Sequence, residues 1–326
     1  MVGIIVGAIG IGVVFLFGSV GEIVTEKAGH LNLGIPGIMC MGTAGGCVGV
    51  VTYLKGFADP AQGSYILILL IAILFACVFA AAGGAIYALL TVSFRANQNV
   101  VGLALTIFGA GFSQFVMNRL FLTVKNGKAC LAAASVKVRA CLPFASKLGA
   151  FGEIFFSHGM LCYLAIALAI VAAVVLRKTK VGLKLRAVGE NPATADAVGI
   201  NVTAYKYGAI LIGSAIAGLG GLFYSMDYMK GNLENVSTIQ AFGWLSIALV
   251  IFTLWRPMLA IAGSVVFGGL YIVSGYVSGI SFGQMKLLSL IPYVVTVAVL
   301  IVTSILDSKN AQPPKGLGVT YFREDR

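Results

Sequence analysis

The chain has 326 residues, of which 59% are hydrophobic and only 10% are charged, and its mean hydropathy is +1.00. That balance excludes an ordinary soluble domain, and the 22 basic and 11 acidic residues behind the net charge of +11 fall as islands between long apolar stretches. The composition is that of a polytopic membrane protein.

A bilayer core about 30 Å thick takes about 20 helical residues to cross. Nine stretches of that length hold no Asp, Glu, Lys or Arg: residues 1 to 21, 28 to 54, 60 to 94, 96 to 118, 154 to 176, 207 to 226, 235 to 255, 257 to 285 and 287 to 306. Even the longest is shorter than the roughly 40 residues that two crossings and a turn require, so each is expected to form one span. Continuous apolarity without a ten-residue alternation excludes a barrel, and the expected fold class is all-α, with about nine transmembrane helices. No Lys or Arg precedes the first stretch, so it reads as a span rather than a secretion signal.

After the first stretch, Glu22, Glu26 and Lys27 interrupt the apolar pattern, and Gly29, Gly34, Pro36 and Gly37 then break the helix around His30 and Asn32. Such a segment is either a plain surface connection or a place where backbone groups face protein or a water-filled path. Gly45 with Gly49, Gly213 with Ala217, and Ala217 with Gly221 are small-residue pairs at helical spacing, suited to close helix packing. The fourth stretch carries Thr106, Phe108, Phe112, Ser113, Gln114 and Asn118, which either tie helices together or stack on and hydrogen-bond a ring-shaped solute.

Beyond it, residues 119 to 147 hold six cations, and Cys130 and Cys141 there are candidates for a disulfide. Between the fifth and sixth stretches, Asn191 is a good N-cap, Pro192 suits a first helical turn and Gly199 suits a left-handed helix end. A helix of about 192 to 198 is expected, roughly 10 Å long and too short to stand alone without a partner's groove. Trp255 reads as an interfacial anchor, followed by a tight Arg256-Pro257 turn.

The basic loop with Arg177, Lys178, Lys180, Lys184 and Arg186, and the tail with Lys309, Lys315, Arg323 and Arg326, are both expected on the cytoplasmic side. Four spans separate them, which is consistent, and the N-terminus is then outside. The six cations of 119 to 147 fall on the outer side and oppose this scheme. Spans one to four and six to nine run in opposite senses, the parity of two inverted four-helix halves. The expected layout is a single permease domain over 1–326: a first half 1–124, an external loop 125–157, a linking span 158–178, a cytoplasmic loop 179–206, a second half 207–306 and a cytoplasmic tail 307–326.

No Gly-x-x-x-x-Gly-Lys-Ser/Thr string is present, and no metal or catalytic spacing can be built on His30 and His158. An enzyme is not expected, and any use of ATP belongs to another chain. The charge-free stretches also offer no intramembrane carboxylate, which weighs against a secondary carrier or channel.

The run Gly182-Leu-Lys-Leu-Arg-Ala-Val-Gly-Glu-Asn-Pro192, continuing through Ala195 to Gly199-Ile-Asn-Val202, resembles the cytoplasmic loop of ABC importer permeases of the branched-chain amino acid, ribose and nucleoside group. The resemblance implies that Glu190, Asn191, Pro192, Ala195, Asp196 and Gly199 form a coupling helix seated in a cleft of an ATPase subunit. Thr25-Glu-Lys-Ala-Gly29 with Asn32-Leu-Gly34 looks more like the nucleoside than the sugar permeases, and implies a substrate path beside His30, Asn32 and Gly34, with Phe108, Phe112 and Gln114 as further candidates. Lacking an extra N-terminal span, the chain is similar to the shorter of two permeases in such systems. The implied partners are an ABC ATPase carrying ATP and Mg, a second permease, an extracellular substrate-binding lipoprotein of the BMP type, membrane lipid and a nucleoside; this chain binds no cofactor and no nucleic acid. A permease for a simple sugar such as ribose is the alternative. The implied location is the bacterial cytoplasmic membrane.

Overall fold

The computed structural model describes residues 2–141, 148–232, 236–276, 279, 281–288, 290–305 and 312–322. Lys147, Lys309, Arg323 and Arg326, used in the charge argument, lie outside them. Among the described residues every regular element is helical: α1 (Val2–Glu26), α2 (Ile35–Leu54), α3 (Tyr65–Ala88), α4 (Gln98–Thr123), α5 (Gly127–Val138), α6 (Gly149–Phe156), α7 (Met160–Lys178), α8 (Lys180–Glu190), α9 (Pro192–Ala197), α10 (Val202–Phe223), α11 (Val236–Phe252), α12 (Pro257–Tyr276), α13 (Phe282–Leu288) and α14 (Ile291–Ile305). The all-α fold class is therefore met.

Among the described residues, six helices are long and apolar enough to cross a membrane: Val2–Glu26, Ile35–Leu54, Tyr65–Ser93, Gln98–Thr123, Met160–Lys178 and Val202–Tyr228. Three shorter apolar stretches, Val236–Phe252, Pro257–Val273 and Gly283–Val299, fall where the remaining charge-free runs lie. α1, α2 and α10 form the buried centre, while α3, α4 and α7 turn large apolar side chains outward, among them Ile66, Leu70, Leu74, Ile107, Phe115, Leu122 and Val171. Helices apolar on their outer faces as well as their inner ones belong in lipid rather than water.

Small residues set the central packing. Gly21 on α1 lies against Gly213 and Ala217 of α10, so a side chain at position 21 would meet the α10 backbone. Two further antiparallel pairs flank this seam: Gly12 meets Ser264 across α1 and α12, and Gly218 meets Ala80 across α10 and α3. The small-residue pairs read from the sequence thus serve packing.

The charge-free windows misplace the ends of two helices. α1 does not stop at Gly21 but continues through Glu22 and Glu26, both buried. α10 begins before its window, so that Lys206 lies inside it, and its last turn holds Asp227. A window search ends at the first charge, whereas a helix can continue past it, and both carboxylates of α1 find partners. Glu22 accepts the Asn32 N–H at 2.8 Å. Glu26 accepts the indole N–H of Trp255, so Trp255, only 6% exposed, is an internal donor and not an interfacial anchor. Carboxylates therefore do lie within the spanning helices, and the charge-free windows give no argument against a carrier.

The segment after α4 is also built differently from a plain loop. α5 buries Cys130, Leu131, Ala134 and Val138 on one face. Four of the cations there have local partners: Arg119 over Phe115, Lys128 over Phe121, Lys137 donating to the carbonyls of Ala61 at 2.6 Å and Gly63, and Arg139 paired with Asp227 at 3.9 Å. These roles account for positive charge that a simple loop count sets against the scheme. Both cysteines are free thiols, Cys130 buried in α5 and Cys141 exposed. The sulfur of Cys141 faces the Ser157 carbonyl at 2.8 Å.

Candidate functional site

The stretch between α7 and α10 is helical along most of its length. Thr179 caps α8, accepting the Gly182 N–H at 3.1 Å. α8 turns Leu185, Val188 and Gly189 inward and leaves Lys184 and Arg186 outside. α9 follows after a single residue, Asn191, whose side chain accepts the Thr194 N–H at 3.0 Å, with Pro192 in the first turn. It ends as its sequence requires: Gly199 takes φ +83, the Gly199 N–H reaches Asp196 O at 2.9 Å and the Ile200 N–H reaches Ala195 O at 3.0 Å. This pair of bonds is the left-handed helix stop that glycine serves best. Ala195 is buried with Val188 and Val202 in a small cluster of its own, while Asn191, Ala193, Thr194, Ala197, Val198 and Gly199 are exposed. Val198 is 71% exposed, an apolar side chain on the tip of a short rod.

The broken segment after α1 is not a surface connection. Gly29 at φ +84 ends α1, with the Gly29 N–H bonded to Glu26 O and the His30 N–H to Thr25 O. The following residues are buried, His30 at 1% and Asn32 at 0% exposure, and side chains from three helices take up their backbone groups. Glu22 of α1 accepts from Asn32 N, Tyr87 of α3 donates to Leu31 O at 2.6 Å, Gln98 of α4 accepts from Leu31 N at 2.9 Å, and Thr106 of α4 donates to Leu33 O at 2.8 Å. The Asn32 side chain accepts the Gly34 N–H at 2.9 Å and turns the chain into α2. Non-helical backbone within such a bundle is stable only with partners of this kind.

These two segments touch. Gly189 of α8 packs on the Lys27 carbonyl and on Gly29, where an added Cβ would lie 3.0 Å from the Lys27 carbonyl carbon. The C-terminal strand of chain runs between them, with Gly316 N bonded to Gly189 O at 2.9 Å and Gly318 N to Gly29 O at 3.2 Å. Its Lys315 N–H reaches the Glu190 carboxylate at 3.4 Å, and Tyr321 donates to Asp196 at 2.9 Å. Burial lowers the Lys27 ammonium below the usual lysine range, and Glu190 opposes that shift. α8, α9, the tail and the broken segment therefore form one connected body.

Two polar cavities lie toward opposite ends of α4. The inner one, about 460 Å³, is walled by His30, Arg95, Asp196, Lys206 and the first residues of α10. Burial, with Lys206 beside it, holds His30 down to about 3, so its ring is neutral. The other, about 540 Å³, is lined by Gln114, Asn118 and Phe121 of α4, with Lys128, Lys230 and Asn232. Gln114 donates to Asn118 at 3.0 Å. At 1.5 Å per residue, Gln98 and Gln114 are about 24 Å apart along the helix.

A profile of the family described as branched-chain amino acid transport system, permease component, matches residues 4–303. The chain belongs to this permease family. It is 33% identical over 313 residues to the nucleoside ABC transporter permease protein NupC of Lactococcus lactis subsp. cremoris, covering 94% of this permease and 93% of that one. The putative glucose ABC transporter permease protein TsgC13 of Haloferax volcanii is 32% identical, over 78% of this chain and 71% of its own. The guanosine ABC transporter permease protein NupQ of Bacillus subtilis is 28% identical, over 94% and 92%. No solved structure matches the chain.

Within the permease, the residues singled out from sequence sort by place. Glu190, Asn191, Pro192, Ala195, Asp196 and Gly199 stand together on and around α9. His30, Asn32 and Gly34 lie together in the broken segment, with His30 on the wall of the inner cavity. Gln114 lines the other cavity, but Phe108 and Phe112 do not join it: Phe108 is half exposed and stacks on Phe112 at 5.9 Å. Sequence reading missed Glu22, Tyr87 and Gln98, which hold the broken segment, and Lys206. Their partners are far away in the chain, so no local spacing marks them.

Proposed function

We propose that this chain is the shorter permease subunit of a nucleoside importer driven by a separate ABC ATPase. The observation that carries the reading is the exposed α9 rod fixed through Gly189 to the buried broken segment, so that a push on α9 is delivered to the junction of α1 and α2 and to α4. ATP and Mg belong on the ATPase, whose cleft receives Glu190 to Gly199; this chain binds no cofactor. A second, longer permease completes the path as a heterodimer, an extracellular lipoprotein delivers the substrate, and the assembly sits in a bacterial cytoplasmic membrane.

Nine crossings with the N-terminus outside agree with how the chain ends are grouped. The ends of α1 and α11, the α8–α9 rod and the tail gather at one end. The connection near Gly63, α5 and Asp227 gather at the other. The paired packing of α1 on α12 and of α10 on α3 is what two inverted halves related across the α1–α10 seam would produce. On this reading the cavity with Gln114, Asn118 and Phe121 is the outer part of the path, offering amides and an aromatic face to a base and ribose. Two of the relatives are nucleoside or guanosine permeases by name.

A sugar substrate is the second reading, favoured by the glucose permease of Haloferax volcanii. Uptake by vesicles containing the full complex, binding protein and ATP separates the two. Labelled nucleosides should accumulate in an ATP-dependent manner and hexoses or ribose should not. Accumulation of sugar alone assigns the second reading, and uptake without ATP contradicts both.

A further inference from the structure

We propose that the inner cavity is a binding site for a phosphate-bearing small molecule, held by Lys206 with the first turn of α10. Lys206 is 4% exposed, and its ammonium makes no hydrogen bond or ion pair among the described residues. A buried charge left without a counter-charge is costly, and an anionic ligand removes that cost. Asp196 is on the same wall, but its carboxylate is engaged by the Tyr321 hydroxyl at 2.9 Å.

Other donors face the same space. His30 is 1% exposed, lines the cavity, and has both ring nitrogens without a partner. Val202 and Thr203 line it as the first residues of the 22-residue helix α10, where amides lack helical acceptors and the helix end favours negative charge. The Asn201 side chain is committed to Ala204 N at 3.0 Å and leaves those first amides free of it. A buried cation without a partner, beside a helix N-terminus, matches a phosphate group. A volume of about 460 Å³ is within the roughly 300–1,000 Å³ of small-molecule sites, more than a bare halide needs.

The site does not depend on the nucleoside reading. Because Asp196 and Gly199 form part of its wall, an occupant stiffens the segment that the import reading assigns to ATPase docking.

The test uses the purified permease complex in nanodiscs of zwitterionic lipid, titrated with inorganic phosphate, with AMP, and with adenosine as the phosphate-free control. Saturable binding of phosphate or AMP is expected, weakened at least tenfold by Lys206→Met and retained by Lys206→Arg, with adenosine binding the same in all three proteins. If phosphate and AMP do not bind but phosphatidylglycerol carried over from the cell membrane co-purifies with the complex and is lost in Lys206→Met, the phosphate comes from a lipid headgroup and the site stands. Should Lys206→Met fail to assemble, Thr203→Val on the exposed first turn is read in its place, with a several-fold loss expected. Absence of phosphate, AMP and phosphatidylglycerol binding to the unmodified complex overturns the proposal, as does binding that neither variant changes.

Discussion

Gly189→Val is expected to leave the permease assembled with its ATPase but to cut ATP-driven uptake about tenfold, the effect of losing about 1.4 kcal/mol of coupling. A side chain at 189 pushes on the Lys27 carbonyl and on Gly29, because the backbones there are in direct contact. Overpacking of this kind costs about 1–3 kcal/mol, and here the strain falls on the joint between α8 and the broken segment rather than on the face of α9. ATP hydrolysis should persist while transport falls. Measuring both rates in one preparation, with co-purification of the ATPase as the control for assembly, checks it. Equal loss of hydrolysis and uptake would mean that position 189 matters for docking and not for transmission.

The second large effect is expected at Glu22. Glu22→Ala removes the acceptor of the Asn32 N–H in a site with 0% exposure at both residues. An unpaired buried donor together with the lost hydrogen bond costs about 1–3 kcal/mol. The thermal unfolding midpoint in detergent should drop clearly for Glu22→Ala and recover most of the way in Glu22→Gln, which keeps a carbonyl oxygen at the same place. The recovery is expected because Gln keeps an oxygen for the Asn32 N–H and brings an amide group that can donate to the Glu26 side chain beside it. A Gln variant as unstable as the Ala variant would show that the negative charge, and not the acceptor, is what the segment needs.

The parts of this permease legible in the sequence are those specified by neighbours in the chain. Asn191, Pro192 and Gly199 announce the start and stop of α9 because capping is settled within a few residues, and the structure places that helix at Pro192–Ala197. The break at Gly29 to Pro36 was equally visible, since a left-handed glycine and an early proline punctuate helices whatever surrounds them. The burial of that segment was not. It depends on Tyr87, Gln98 and Thr106, which reach it from α3 and α4.

Charge misled for a related reason. Glu22 and Glu26 look like the end of a span when only a window is read, yet Trp255, 229 residues away, supplies a donor that lets α1 continue. The six cations after α4 argue for one side of the membrane when counted, but Lys137 and Arg139 are spent on the Ala61 carbonyl and on Asp227. Phe108 and Phe112 shared a helix with Gln114 but not a face: Phe108 turns outward, Phe112 packs on Phe79, and the amides of Gln114 and Asn118 line the cavity.

The central claim is that α9 is a force-receiving rod docked on an ATPase and joined to the substrate path through Gly189. Cross-linking from Val198→Cys, in a Cys141→Ser background of the full complex in its membrane, tests it most directly. The account predicts a specific adduct between position 198 and the ATPase subunit, with a yield that changes when ATP is bound. Labelling of that position by lipid-soluble or aqueous reagents alone, with no ATPase adduct in any nucleotide state, would contradict it.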